Sequence, residues 1–422
     1  MRQGRPAVDM DEQERAWLAR LGEIAHAAGA RAWLVGGPVR DLLLGTARPD
    51  IDLAIEGPVK RVAQAIARGV GGRVKKTTEF LTATVELDGG EVDIAHARTE
   101  RYETPGALPV VEPATLADDL ARRDFTVNSM ALALAPGSFG ELVDPCGGRD
   151  DLRNALLRVL HERSFEDDPT RMLRAARFTR RLGLTLEAHT RELLDRAVAE
   201  RRLRSVSGAR SRNELRRIFG EAPTEGLADL QALGLLEAMG LPPAGPASIE
   251  RARLLRAAAE ALGIELDQTV ATAACLGLYA AGAGVDARWL AQRLMMDSGE
   301  RRRVVQVASL VAEPPEVLRT RAGDGQLHQA LEGIGRAGAL AAWTALDDAG
   351  RHRLERYWRE LRGVGPDVTG EDLIAAGYQP GPEFGEALRA ALMAKLDRGA
   401  DRDGQLLAAT ATIERLRSGR EG

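Results

Sequence analysis

Two cysteines in 422 residues, Cys146 and Cys275, are too few and too far apart for a disulfide framework or a thiolate metal site. A reducing cytoplasm fits such a chain best. Aromatic residues make up only 4%, so any contact with nucleic acid must lean on charge more than on base stacking. No apolar run reaches the roughly 18 residues a membrane span needs, and no early run resembles a signal peptide. None of the six histidines is followed by aspartate, which removes the His-Asp motif of metal-dependent phosphohydrolases. Internal repeats and low-complexity tracts are missing too, and the polar first 15 residues are expected to fray.

What remains is ordinary globular composition, 44% hydrophobic and 28% charged. At roughly 150 residues per domain the length suggests two to four folding units. The net charge of −4 argues against a protein that coats nucleic acid indiscriminately, yet it hides a local excess. Between Arg158 and Arg217 sixteen arginines stand against nine acids, a basic belt of +7. Solvated helix faces would give the same count; so would a surface that tracks phosphates.

Hydrophobic periodicity divides the chain. Residues 11–29 read as an amphipathic helix, 32–35 as a strand, then a Gly-Gly turn into a short helix. Residues 51–55 alternate like a strand, 59–68 look helical, and 81–87 with 91–95 form a hairpin across Asp88-Gly89-Gly90. From about Thr126 onward every long segment has helical spacing. The expected fold is therefore α+β: a small mixed sheet followed by an all-helical remainder.

The stretch "GGPVRDLLLGTARPDIDLAIEG" carries the chemistry. Successive strand side chains alternate faces, so Asp50 and Asp52 project to the same one. Like charges side by side repel unless a cation binds between them. Hard carboxylate oxygens suit Mg²⁺, which commonly keeps one or two carboxylates and substrate phosphates in its shell. Asp93, in "EVDIA", is a candidate third carboxylate. A solvated strand end is the plainer alternative. Gly36 and Gly37 permit close approach of backbone N–H groups to phosphate at a helix start, and Arg40 adds positive charge.

Taken in order, "GGPVRD" with "DIDLAI", "RRDFTVNSMAL", "DPCGGRDDL", "FEDDPTRMLRAARF" and "SGARSRNELRRIF" resemble the successive motifs of class II tRNA nucleotidyltransferases. These are the bacterial and eukaryotic CCA-adding enzymes and their A-adding, CC-adding and bacterial poly(A) polymerase relatives. The motif set covers roughly residues 30–220. The resemblance implies a nucleotidyltransferase head of the DNA polymerase β type over 1–140, a base-recognising neck over 141–206, a helical RNA-binding body over 207–300 and a helical tail over 301–422. It implies template-free addition of the tRNA 3′-terminal CCA, or its terminal A, from CTP and ATP, with Mg²⁺ as cofactor and pyrophosphate released. The partners are tRNA and the two nucleotides, with no membrane and no obligate protein partner evident.

Residue by residue, Asp50 and Asp52 become catalytic metal ligands. Arg123, Asp124 and Asn128 bind phosphate and ribose, and Arg174 and Arg177 join the nucleotide site. Asp168 and Arg171 together complement an amino donor beside a ring-nitrogen acceptor, the edge cytosine and adenine share and guanine and uracil lack. In the family this motif is Glu-Asp-x-x-Arg; here its first position is Asp167. Before Pro169, Asp168 is also placed as a helix cap. Arg210, Arg212 and Arg216, with Arg301–Arg303, are expected to meet RNA phosphates. Phe125, Val127 and Met130 read as core, Asp151 as a brace of the neck, and Cys146 as chemically idle. CC-adding relatives typically lose part of the loop between the first two motifs, whereas residues 98–121 look complete. That favours full CCA or terminal-A addition over CC addition or poly(A) synthesis. A catalytically silent RNA binder that kept the fold is the rival of another class.

Overall fold

The computed structural model describes Val8 and residues 10–46, 50–78, 81–101 and 110–418. The chain forms two compact units, Met1–Glu214 with Ala232–Leu241, and Leu215–Gln231 with Pro242–Gly422.

The first unit opens with α1, Glu12–Ala27, whose start is fixed by Asp11: its carboxylate accepts the Glu14 N–H at 2.7 Å. Order thus begins earlier than the polar composition of the first 15 residues suggested. Next come β1 (Arg31–Val35), α2 (Gly37–Leu43), β2 (Asp50–Glu56), α3 (Val59–Val70), β3 (Arg73–Thr77), β4 (Thr82–Leu87) and β5 (Gly90–His96). The expected hairpin is present, but its turn is the two-residue Asp88-Gly89, with Leu87 already paired to Gly90. A small hairpin of β6 (Arg98–Arg101) and β7 (Val110–Pro113) precedes α4 (Leu116–Ala121), and β8 (Ala131–Ala133) and β9 (Leu142–Val143) complete the sheet. Its order is β3-β4-β5-β2-β1-β8-β9, antiparallel except for the parallel pair β2/β5.

Strand alternation sorts the two faces. Leu34, Leu53, Ile55, Val92 and Ile94 join Leu21, Ala25, Val62 and Ile66 of α1 and α3 in the main core. Val35, Ala54 and Ala131 meet Leu116 and Leu120 of α4 on the other face. By the same parity Asp52 shares the face of Ala54, beside α4 rather than under the helical layer. β8 and β9 were not anticipated, because two- and three-residue strands are too short to show a period. Phe125, Val127 and Met130 are fully buried, as expected for core.

Helical segments α5 (Gly148–Arg153), α6 (Ser164–Asp167), α7 (Thr170–Leu182), α8 (Ala188–Ala199) and α9 (Gly208–Glu221) follow, with the short strands β10 (Leu156–Leu157) and β11 (Thr185–Leu186) between them. In the second unit the helix Gln268–Gly282 is buried along nearly its whole length and packs against Ser298–Ala312 and Arg336–Thr344. Gly277 is needed there, since a side chain would strike Val307. A terminal pair, Glu383–Arg398 and Arg402–Ser418, closes around Ala387, Ala391, Ala409 and Ile413. The Gly-Pro turn read in 369–388 lies between the helices Gly370–Ala375 and Glu383–Arg398. No helix among the described residues is long and apolar enough to cross a membrane.

Candidate active site

The sheet sets two carboxylates side by side. Asp52 of β2 is in parallel register with Asp93 of β5, and both line a cleft of about 430 Å³ bounded by Thr84, Arg98, Asp119, Arg122 and Arg123. Asp93 is exposed; its Oδ1 accepts the Thr84 hydroxyl at 2.6 Å, a neutral partner. Asp50 stands two positions before Asp52 and pairs with Glu91, but its side chain lies outside the described residues. Among the described residues no three acidic, histidine or cysteine side chains converge. The donor set that can be described, two oxygen ligands on one sheet face beside arginines, fits a hard divalent cation that also meets phosphate. Gly36 links β1 to α2 at φ +72°, a conformation L side chains rarely adopt, and a side chain there would run into the Arg123 guanidinium.

The arginines of the cleft are braced by acids. Asp119 of α4 is 2% exposed and accepts from Arg122 Nη2 at 2.6 Å and from Arg123 Nη2 at 2.8 Å. Burial alone would raise its carboxyl, but the Arg123 and Arg122 guanidinia outweigh that and hold it below the usual range. Arg122 also donates to Glu100 of β6 at 2.6 Å, and Arg123 Nη1 to the Asn128 carbonyl at 3.3 Å.

Behind the cleft lies a buried ionic network. Arg40, 3% exposed, donates to Asp41 at 2.8 Å and to Asn128 Oδ1 at 2.6 Å. Asn128 Nδ2 donates in turn to Asp124 Oδ1 at 3.0 Å, and the other Asp124 oxygen receives Arg174 Nε and Nη2 at 2.8 and 2.5 Å. Despite desolvation, the Arg174 charge and the Asn128 and Arg174 hydrogen bonds keep Asp124 below the ordinary carboxylate range. Glu214 of α9 faces both Arg174 at 3.8 Å and Arg177 at 3.6 Å. Arg40, Arg174 and Arg177 surround the Phe178 ring, with guanidinium carbons 5.4, 5.4 and 4.8 Å from its centroid. The structure therefore unites the six predicted residues Arg40, Arg123, Asp124, Asn128, Arg174 and Arg177. Their mutual bonds, rather than open solvent, hold most of them.

Arg171, 4% exposed in the first turn of α7, donates through Nη1 to Ser164 Oγ at 2.8 Å and through Nη2 to the Arg122 carbonyl at 2.7 Å. Asp168 precedes the helix in extended conformation. Its Oδ1 accepts the Thr170 N–H at 3.0 Å, the predicted cap, and Arg210 Nη2 at 2.7 Å. Arg210 is thus turned toward Asp168, while Arg212 is half-buried and Arg216 faces Glu300 at 3.9 Å. Asp151 braces this region by accepting the Thr126 hydroxyl at 2.7 Å and Arg158 at 3.0 Å. Cys146 is half-buried, its sulfur 3.6 Å from Ser129 Oγ.

Asp119, Glu214, Ser164 and His161 were not singled out from sequence. The helical spacing of Asp119 to Arg122 and Arg123 carried a usable signal. Glu214 meets Arg174 across 40 positions, and Ser164 reads as an ordinary helix-start residue.

Residues 32–158 match the Poly A polymerase head domain family. An A-adding tRNA nucleotidyltransferase of Halalkalibacterium halodurans is 35% identical over 382 residues, 88% of this chain and 86% of that protein. The chain belongs to the class II tRNA nucleotidyltransferases. A CC-adding tRNA nucleotidyltransferase of Deinococcus radiodurans is also 32% identical over 90% of this chain and 88% of its own length. The Thermotoga maritima CCA-adding enzyme complexed with tRNA shares the fold, with a TM-score of 0.76 and 29% identity over 96% of both chains. This nucleotidyltransferase thus sits among relatives of differing product.

Proposed function

We propose that the enzyme adds the 3′-terminal nucleotides of tRNA from CTP and ATP without a template, ending in the terminal A. The observation that carries the reading is the pairing of Asp52 with Asp93 on one sheet face, in a cleft walled by Arg98, Arg122 and Arg123. A divalent ion, Mg²⁺ by the hardness of these ligands, would be held by Asp52 and Asp93, with Asp50 the third candidate. Bound there, it would supply charge stabilisation to the attacking 3′-oxygen and the leaving pyrophosphate. The protein's own part is positioning. Gly36 and Gly37 leave room for phosphates beside Arg123, and the mutually bonded Asp124, Asn128 and Arg174 shape the ribose side from behind. Arg171 and Asp168 offer a donor and an acceptor to the base edge, and Arg177 with Arg40 stiffens the floor through Phe178. Arg212 and Arg216 would face the RNA backbone, with Arg210 held back by Asp168.

Terminal-A competence is supported by the length of the segment 98–121; residues 102–109 lie outside the described residues, while 98–101 pair with 110–113 and α4 contributes Asp119 to the cleft. An A-only enzyme is the second reading, favoured by the extent of likeness to the Halalkalibacterium halodurans protein. The test offers separate tRNAs ending at the discriminator base, at C and at CC, each with CTP, ATP or both, and sequences the products. Extension of all three to CCA marks the full activity. Extension only of the CC-ended tRNA, with ATP, marks the A-only enzyme. Products that stop at CC would overturn both readings.

A further inference from the structure

Arg171 is a buried cation with no carboxylate in direct contact, although its charge is felt by Asp124. Among the described residues no carboxylate lies within ion-pair distance of it. Asp167, at the position where the resembling enzymes carry glutamate, faces Arg163 at 3.4 Å. Glu166 faces Arg163 at 3.5 Å and Arg202 at 3.7 Å. Neither carboxylate reaches the guanidinium. A buried charge needs its N–H groups satisfied, and here neutral acceptors do it: Ser164 Oγ at 2.8 Å, the Arg122 carbonyl at 2.7 Å, and at the edge of range His161 Nε2 at 3.5 Å. Ser164 is fully buried. Arginine only donates, so His161 must carry its proton on Nδ1 when it faces Nη1.

We propose that Ser164 and His161 are positioning residues for Arg171, doing in this chain what a longer side chain at position 167 would do. The idea rests on Arg171 reading the incoming base. Neutral acceptors suit base reading because they fix three of the five N–H vectors without an ion pair, so the remaining donors stay available to a base edge. A carboxylate would steady the arginine equally well but would also neutralise it.

His161 gives the arrangement a pH signature. Packing of its ring, and then the Arg171 charge, hold its pKa below the usual histidine range; Asp167 opposes this and Arg163 adds to it. At neutral pH Nε2 is therefore unprotonated. Acidification through the lowered pKa puts a second cation against Arg171 and loosens it.

The experiment measures incorporation of UMP and GMP relative to AMP on a tRNA ending in CC, for the full chain and for Arg171→Ala, Ser164→Ala and His161→Gln. Ser164→Ala removes one hydrogen bond to a charged group and is expected to lower selectivity about tenfold. AMP turnover should change less, and combining it with Arg171→Ala should add nothing further. The wild-type selectivity ratio should fall as pH drops below the ordinary histidine value of about 6.5, and His161→Gln, which accepts without titrating, should flatten that fall. Far-UV circular dichroism and tRNA affinity identify a variant that merely misfolds; selectivity is then read from the exposed His161 position alone. Unchanged selectivity in Arg171→Ala overturns the base-reading role itself. Lost selectivity in Arg171→Ala with selectivity retained in both Ser164→Ala and His161→Gln at every pH overturns only the positioning role.

Discussion

Asp93 and Asp124 are both aspartates of the same unit, yet their surroundings are opposite. Asp124 is 6% exposed and saturated: two arginine N–H groups, an asparagine amide and its neighbour's backbone N–H all point at it. Asp93 is exposed in the cleft, with a threonine hydroxyl as its hydrogen-bond donor and no ion pair among the described residues. A carboxylate that braces a fold is stabilised by fixed cations; one meant for a ligand keeps coordination sites in hand. The same contrast separates Arg122 and Arg123, paired with Asp119, from Arg171, which meets only neutral acceptors.

The comparison can be broken most directly at Asp52. Asp52→Asn should lower nucleotide transfer by about a thousandfold or more while tRNA affinity stays the same or tightens, because carboxylates near phosphates oppose binding. Near-normal turnover would place the ion elsewhere. Asp124→Asn keeps the shape but leaves Arg174 only the more distant Glu214 at 3.8 Å, and is expected to cost about 3 kcal/mol in urea unfolding. Asp195→Asn, in the exposed pair with Arg191 at 2.9 Å, should change stability by less than about 1 kcal/mol. Equal costs would erase the distinction between bracing and surface pairs.

Acid should expose the bracing class. Asp119 and Asp124 are held below the ordinary carboxylate range in the folded state, so their contribution is present above the unfolded value, about pH 4. It is lost as pH falls through the lowered folded values. Melting temperature should drop across that window, and less steeply in Asp124→Asn. A smaller effect concerns RNA. Replacing Arg210, Arg212 and Arg216 together by glutamine should flatten the salt dependence of tRNA affinity, whereas Arg210→Gln alone should do so little, because Asp168 already occupies that guanidinium. A full loss of slope from Arg210→Gln would mean that the pair opens when RNA binds.

Much of this was legible before the structure. Alternation placed Asp52 on a strand face, and the sequence singled out Arg40, Asp124, Asn128 and Arg174 as nucleotide ligands, though not the bonds among them that the structure shows. The illegible part is tertiary: which partner each side chain chooses. Asp167 and Glu166 stand within five positions of Arg171, yet both are turned toward Arg163 and Ser164 faces the guanidinium. Arg210 reads as an RNA ligand from the basic belt, and only its approach to Asp168 across 42 positions shows a second employment. Strands of two or three residues, such as β8 and β9, have too few positions to announce a period.

The central claim is that Asp52 and Asp93 hold a divalent ion against the incoming triphosphate. Anomalous diffraction from crystals soaked with Mn²⁺ and ATP tests it directly. The account predicts a peak about 2.1 Å from oxygens of both carboxylates and from the phosphates. A peak bound by neither aspartate, or both side chains capped by arginine with nucleotide in place, would contradict it.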